Sequence, residues 1–470
     1  MCCLERARYA PREGADAETE RFCDPGGPLW LCMAYGGRIR QERRERDETM
    51  LKLLHTSDWH LGRALFGRKR YAEFEAFLDW LAETLERQGI DVLLVAGDVF
   101  DTGTPSNRAQ ELYYRFLCRV ASSSCRHVVL IAGNHDSPTF LDAPRELLRA
   151  LDVHVVGGAA ENQDPADEVL VLRGERGDPE LIVCAVPYLR DRDIRTAEAG
   201  ESLEDKDRKL IDGIRGHYAA VAALAERRRA ELGPDVPIVA MGHLFVAGGQ
   251  TVEGDGVREL YVGTLAHVAA DIFPPCFDYV ALGHLHAPQR VNGLETVRYS
   301  GSPLPMGFGE AGRPKSLCRV AFRGTAASVS LIDVPVFQEL ERVRGDWDAI
   351  SSRLSELAAA GSRSWLEVVY EGDAVAGGLR ERLEDAVSGT RMEILRIKDC
   401  RLIDRVLGRT REGDMGGEPG ESGELGGLNE EDVFERCLAV HDVPEDQRPE
   451  LRAAYRDALR SLLEDDARAE

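Results

Sequence analysis

Five short runs in this sequence carry side chains able to hold divalent metals: Asp58-Trp59-His60, Gly97-Asp98-Val99-Phe100-Asp101, Gly133-Asn134-His135-Asp136, Gly242-His243 and Gly283-His284-Leu285-His286. Their donors are carboxylate oxygen, imidazole nitrogen and one amide oxygen. Without a thiolate, this set suits Mn²⁺, Fe²⁺ or Zn²⁺ in a hydrolytic centre rather than a structural zinc. A carboxylate can bridge two such ions about 3.5 to 4 Å apart, letting them share a hydroxide and neutralise phosphoryl oxygens. Asp98 is the natural bridge. Any one of these runs alone reads as a capped turn. Together they read as a site, because Asp58, Asp98, Asn134, His243 and His284 each fall two positions past an expected strand end.

Those strands are short β-branched runs: Leu51 to Thr56, Asp91 to Ala96, His127 to Ala132, Leu181 to Val186, Ile238 to Met241 and Tyr279 to Leu282. Tyr71 to Gln88 and Asn107 to Val120 show the apolar spacing of amphipathic helices between them. The alternation predicts an α/β fold over residues 50–335, in which ligands gather at the carboxyl ends of strands. Arg298 to Ser300, Ser316 to Phe322 and Ala327 to Val334 follow one another without helices, which predicts a more antiparallel second half. Strand, helix, strand, helix, strand over residues 336–405 predicts a small α/β domain. Residues 406–428, rich in glycine and acids, read as a flexible linker. Residues 429–470 read as two helices with apolar stripes at Val433, Phe434 and Leu438, then at Leu451, Tyr455, Leu459 and Leu462. Residues 1–49 show no sustained periodicity. They are expected to form a disordered leader, upstream of a start at Met50.

The 470 residues, 43% hydrophobic and 30% charged, exclude a single small module and a wholly disordered chain. No stretch has the roughly 18 apolar residues of a membrane span, nor is there a signal-peptide pattern, so the expected location is cytoplasmic. Eleven scattered cysteines read as reduced thiols. A formal charge of −23 argues against binding nucleic acid by bulk electrostatics, and Gly408 to Glu470 alone holds 8 basic and 18 acidic residues. Any phosphate contact must be local. Arg63, Arg68, Lys69 and Arg70 follow His60 with no acid between Leu61 and Ala72, which makes them the expected contacts if the ligand is DNA. In Arg190, Arg192 and Arg195 the charge is interleaved by Asp191 and Asp193, so a salt-bridged loop is an equal reading. His55, His127 and His154 are expected in the core, and His217 and His441 in solvent.

The order DxH, GDxxD, GNHD, GH, GHxH resembles the calcineurin-like metallophosphoesterase superfamily over residues 50 to about 310. Within it, His55 to Gly62, Phe277 to His286 and Tyr299 to Leu304 resemble the SbcD family of bacterial nuclease subunits. The resemblance implies a four-layer sandwich of helices on two packed mixed sheets, with a small α/β capping domain and a C-terminal helical pair. It implies two divalent metals per subunit, Mn²⁺ by expectation, one held by Asp58, His60, Asp98 and His286, the other by Asp98, Asn134, His243 and His284. His135, helped by Asp136, would stabilise the transition state or protonate the leaving oxygen, and Asp101 would orient a ligand. The implied activity is ATP-dependent 3'-5' double-strand exonuclease and single-strand or hairpin endonuclease action on DNA, in repair, recombination and replication. The implied partners are DNA and an SbcC-type ATPase gripped by residues 429–470. The implied assembly is a homodimer, paired through the apolar helices after Asp101 and Asp136, within a heterotetramer. The alternatives are a stand-alone phosphoesterase acting on nucleotides or phosphoproteins, and a scaffold with a decayed site. The full ligand set argues against the scaffold.

Overall fold

A computed structural model describes residues 50–159, 165–195, 201–246, 270–372 and 378–399, together with Arg448. The expected leader, the linker and the C-terminal helical pair lie outside these residues apart from Arg448. In chain order the elements begin with β1 (Leu51–Thr56), a small hairpin of β2 (Ala64–Leu65) and β3 (Arg68–Lys69), and α1 (Tyr71–Gln88). There follow β4 (Val92–Ala96), α2 (Asn107–Ala121), β5 (His127–Ile131), α3 (Pro138–Asp142), α4 (Arg145–Arg149) and β6 (Val153–Val156). Next come β7 (Val169–Arg173), β8 (Pro179–Ala185), α5 (Asp191–Ile194), α6 (Leu203–Leu232), β9 (Ile238–His243) and β10 (Tyr279–Gly283). The rest are β11 (Gln289–Arg290), β12 (Val297–Tyr299), β13 (Lys315–Arg323), β14 (Ala326–Val334), β15 (Leu340–Gly345), α7 (Trp347–Ala359), β16 (Trp365–Tyr370), α8 (Leu379–Val387) and β17 (Glu393–Asp399).

Two six-stranded sheets carry the catalytic half, in the orders β14-β13-β1-β4-β5-β6 and β11-β12-β10-β9-β8-β7. In the first, β1, β4, β5 and β6 run parallel and β13 lies antiparallel to β1. In the second, β8, β9, β10 and β12 run parallel and the edge strands are antiparallel. The antiparallel expectation therefore holds for β13 and β14, which form a hairpin. It fails for Arg298 to Ser300, since β12 joins the other sheet alongside β10.

Alternate residues of a strand face opposite sides, and the burial follows that rule. Leu93, Val95, Val128 and Leu130 pack under Phe74, Phe77 and Leu81 of α1 and Leu112 and Phe116 of α2. Their neighbours Leu94, Val129 and Ile131 meet Leu181, Val183, Val239 and Ala281 of the second sheet in an apolar layer between the sheets. Ile182, Cys184, Ala240 and Val280 pack against Ile214, Tyr218, Val221 and Ala225 of α6 on the far face. These are the four layers expected. The helix α6 was not foreseen, although its narrow stripe of apolar residues at i, i+4, i+7 and i+11 is a legible helical signal. Leu112, Tyr113, Phe116, Leu117 and Val120 are all buried in the chain's own core, so they are not the free seam that the expected dimer would use. On α4, Leu147 is exposed.

β15, β16 and β17 form a parallel three-stranded sheet covered by α7 and α8, the small α/β unit foreseen after residue 335. It meets the hairpin through a satellite cluster of Leu65, Phe308, Leu340 and Trp365. No helix among the described residues is long and apolar enough to cross a membrane. Among them Cys125, Cys184 and Cys318 are buried free thiols, as foreseen, whereas Cys118 is exposed.

Candidate metal centre

The loops after β1, β4, β5, β9 and β10 converge at one end of the two sheets. Their rims stay zipped beyond the strands: Asp58 N–H donates to Gly97 O at 3.0 Å, His60 N–H to Asp98 O at 3.0 Å and Leu61 N–H to Val99 O at 2.9 Å. Seven non-glycine described residues have positive φ, and four of them are expected ligands: Asp58 (54°), His60 (48°), Asp98 (49°) and His284 (104°). Side chains rarely adopt this left-handed backbone, and such outliers concentrate where function over-determines the geometry. The glycines leave room for it. A Cβ on Gly133 would overlap the Asp98 carboxylate, and one on Gly283 would overlap the Ala96 carbonyl.

All seven expected ligands are brought together. His243 Nε2 lies 3.2 Å from Asp98 Oδ2 and 3.1 Å from Asn134 Oδ1. His284 Nδ1 lies 3.1 Å from the same Asn134 oxygen. His60 Nε2 lies 3.1 Å from His286 Nε2 and 3.6 Å from Asp98 Oδ2. Asp58 has a donor atom within 4.8 Å of those of His60 and His286, and likewise of Asp98 and His243. Two donors each about 2.1 Å from one cation sit roughly 3.0 to 3.4 Å apart, so these spacings fit shared ions. Apart from Asn134, which is exposed, these side chains are buried. Asp98 stands between the two groups, where a bridge belongs.

Neighbours fix which ring nitrogen faces inward. His243 Nδ1 donates to the Ala96 carbonyl at 2.9 Å, so Nε2 points at Asp98 and Asn134. Asp101 Oδ1 lies 3.2 Å from His60 Nδ1 and accepts from Arg63 Nη1 at 3.1 Å. Its backbone carbonyl accepts from His135 Nδ1 at 2.9 Å. Asp101 therefore orients two imidazoles at once, as carboxylates and carbonyls do behind metal-binding histidines.

The electrostatics are those of a site that needs cations. Burial pushes Asp58 up to about 6, against the opposing charge of His243. Burial would also raise Asp98, but the charge and hydrogen bond of His243, with His60, outweigh it and hold the carboxyl well below the usual range. Reciprocally, burial would lower His243, and Asp98 instead raises it to about 9. Burial and the His243 charge drive His284 down to about 3. Burial also holds His135 below its ordinary value. Dications placed among these groups would hold both carboxylates ionised and the histidines deprotonated at Nε2 or Nδ1.

Asp136 is buried. It accepts from the backbone N–H groups of Val99 (3.1 Å), Phe100 (2.9 Å) and Gly133 (2.9 Å), tying the β4 loop to the β5 loop.

The basic cluster divides. Arg70 is corrected outright as a DNA contact: it is buried, its guanidinium forks onto Glu73 at 2.9 and 2.7 Å, and Nη1 donates to Pro305 O at 2.7 Å. Arg63 is spent on Asp101. Arg68 and Lys69 are exposed on the hairpin, Arg68 beside Glu393 at 3.4 Å and 5.8 Å from the Trp365 ring. A groove of about 440 Å³ joins these two to Arg363, Arg391 and Trp365 of the small α/β unit, cations that no local pattern linked to the loop. The Arg190 to Arg195 segment is salt-bridged, with Arg195 on Asp191 and Glu201, but Asp191–Ile194 forms the short helix α5 rather than a loop. His217 is corrected too: its Nε2 lies 2.6 Å from buried Glu168, not in solvent.

Several supports were missed. Buried Lys315 donates from Nζ to the His286 carbonyl (3.1 Å) and Ser302 Oγ (2.9 Å), paired with Glu310. Ser300 Oγ lies 2.8 Å from Ser57 Oγ, itself 2.5 Å from Asp58. Tyr299 donates to Leu244 O at 2.7 Å. The run Tyr299 to Leu304 thus braces three ligand loops, which only its position in a motif hinted at. His55, in the core as expected, bridges the sheets: Nε2 donates to Leu282 O at 3.1 Å, leaving Nδ1 to accept from Tyr279 Oη at 2.9 Å.

A family profile described as calcineurin-like phosphoesterase matches residues 51–288, and one described as type 5 capsule protein repressor C-terminal domain matches residues 336–442. The SbcD subunit of the nuclease SbcCD from Escherichia coli (strain K12) is 35% identical over 415 residues, covering 88% of this chain and 98% of that protein. Its counterpart from Rhodobacter capsulatus is 38% identical over 281 residues, 59% of this chain and 68% of its own. Among solved structures, a dimetal phosphatase from Danio rerio superposes on 61% of this chain and 99% of its own with a TM-score of 0.34 at 13% identity.

Proposed function

The chain belongs to the SbcD family of calcineurin-like phosphoesterases and is a metal-dependent nuclease of that family, and we propose that its paired-metal centre cleaves DNA phosphodiesters under the control of an SbcC-type ATPase. The observation that carries this reading is the convergence of Asp58, His60, Asp98, Asn134, His243, His284 and His286 from five strand ends around one central carboxylate. When bound, the two divalent ions, Mn²⁺ by proposal, supply an activated water and neutralise the phosphoryl oxygens. One ion is assigned to Asp58, His60, Asp98 and His286, the other to Asp98, Asn134, His243 and His284. His135 is assigned the proton transfer to the leaving oxygen: Asp101 holds its Nδ1–H, which leaves Nε2 to carry the mobile proton.

The phosphate backbone is assigned to Arg68, Lys69, Arg363 and Arg391. The groove they line also holds Glu393, paired with Arg68, and the buried Arg70–Glu73 pair, and it keeps a local excess of positive charge on a chain of net charge −23. The activity proposed is 3'-5' exonuclease on duplex ends, with ATP, and endonuclease on single strands and hairpins, in the cytoplasm, by a homodimer within a heterotetramer. Residues 429–470 are assigned to the ATPase, because their two apolar stripes need a partner. The test is end-labelled duplex and hairpin DNA with Mn²⁺ and ATP, with and without the ATPase. Deleting residues 428–470 should leave single-strand cleavage intact while abolishing co-purification with the ATPase and ATP-stimulated duplex degradation. Retention of the ATPase by the truncated chain would refute the tail assignment. Failure of the intact complex to cut any DNA would refute the nuclease reading.

A further inference from the structure

The apolar layer between the sheets ends, on the side opposite the metal centre, in two histidines. His127 opens β5 and His154 lies in β6, on the strand face that carries Val129 and Ile131 into that layer. Their rings are 5.8 Å apart and tilted by 43°. His127 Nε2 donates to Arg173 O at 2.8 Å, so its Nδ1 keeps the lone pair. That Nδ1 and His154 Nε2 are both buried with no hydrogen-bond partner among the described residues, a costly state for imidazoles at the end of an apolar layer. Asp152 stands beside them, with Oδ1 4.0 Å from His127 Nδ1. One donor atom from each of the three residues lies within 4.8 Å of the others.

The backbone around this trio is fixed. Asp152 has φ 55°, its N–H donates to Arg149 O at 3.1 Å and its carbonyl accepts from Val128 N–H at 3.0 Å. Its carboxylate is 68% exposed and therefore free to turn inward. A tetrahedral ion would draw donors now within 4.8 Å to roughly 3.4 Å apart, and the exposed Asp152 carboxylate is the group able to turn towards it.

We propose that His127, His154 and Asp152 form a second, non-catalytic cation site that takes one d-block ion of the Zn²⁺ class, completed by water. Two neutral imidazoles and one carboxylate are the donor set such an ion prefers, and the Arg173 carbonyl already selects the ligating tautomer. The ion would tie the start of β5 to that of β6, at the edge of the first sheet.

The experiment measures zinc by mass spectrometry in full-length protein stripped by chelator, reloaded with Zn²⁺ and desalted. Wild type should hold one equivalent more than His154→Gln and than Asp152→Asn, the latter at an exposed position that keeps the fold. Mn²⁺-dependent nuclease activity should be equal in all three. Zinc-edge diffraction from wild-type crystals should show an anomalous peak between the two rings. Equal zinc content in wild type and both variants, or a water without anomalous signal at that position, would overturn the proposal.

Discussion

The first sheet delivers every oxygen donor of the metal centre, from Asp58, Asp98 and Asn134, with one imidazole, whereas the second delivers imidazoles alone, from His243, His284 and His286. Separately, each rim is a poor thing to bury: one is a cluster of acids, the other a cluster of bases. Packed together they compensate, and the opposite shifts of Asp98 and His243 record the exchange. Docking of the sheets and assembly of the site are therefore one event, held by His55 on Tyr279, His243 on Ala96 O, and Ser57 on Ser300.

The largest break in this arrangement is Asp98→Ala, which removes the carboxylate facing both halves. Both metals and at least ~10³-fold of activity should go with it. Metal content and DNA cleavage measure this, and retention of two ions would show that the halves bind independently. His135→Ala leaves the donors in place, so metal content should persist while turnover falls ~10²- to 10⁴-fold. Loss of the ions there would instead place His135 among the ligands, as its grouping with His60 and Asp98 allows.

Arg70→Ala tests a support confined to the first half. Glu73 would be left buried without its partner, costing on the order of 3 to 5 kcal/mol of stability in urea melts, with no change in the salt dependence of DNA binding. The bridge between the sheets has a pH signature. Burial lowers His55 to about 3 against its ordinary 6.5, so the folded chain refuses a proton that the unfolded chain accepts. Its stabilising contribution is full above pH 6.5 and is lost as pH falls from there towards 3, by about 2 kcal/mol at pH 5. Urea melts of wild type and His55→Gln should converge as the pH drops, and parallel curves would mean that His55 is protonated in the fold. The smallest effect is Arg68→Ala with Lys69→Ala. It should weaken DNA binding and lower the log–log salt slope by about 2, leaving a small chromogenic diester unaffected.

What was legible in the sequence follows from the range of the interaction. Donor types and their place just past a strand end depend on a few consecutive residues, so Asp58 and Asn134 could be named without knowing what packs around them. The bounds of β1, α1, α7 and β16 follow from local periodicity in the same way. Arg63 misled because its partner Asp101 becomes a neighbour only in three dimensions; for Arg70 the partner Glu73, three residues on, was in reach of a local reading, but the burial completed by the Pro305 carbonyl was not. Lys315 gave no signal at all. A lysine at the start of a strand reads as solvated until Glu310 and the His286 carbonyl are seen around it.

The position of β1 in its sheet constrains when this enzyme can come into being during synthesis. β1 is flanked by β4 on one side and by β13, residues 315–323, on the other. A ribosome adding roughly 5 to 20 residues per second needs about 14 to 54 s to pass from the start of β1 to the end of β13. Until then the strand that carries Asp58 and His60 has one open edge, and for most of that interval His284 and His286 have not been made. A chain abandoned before His284 lacks part of the donor set and cannot complete the metal centre.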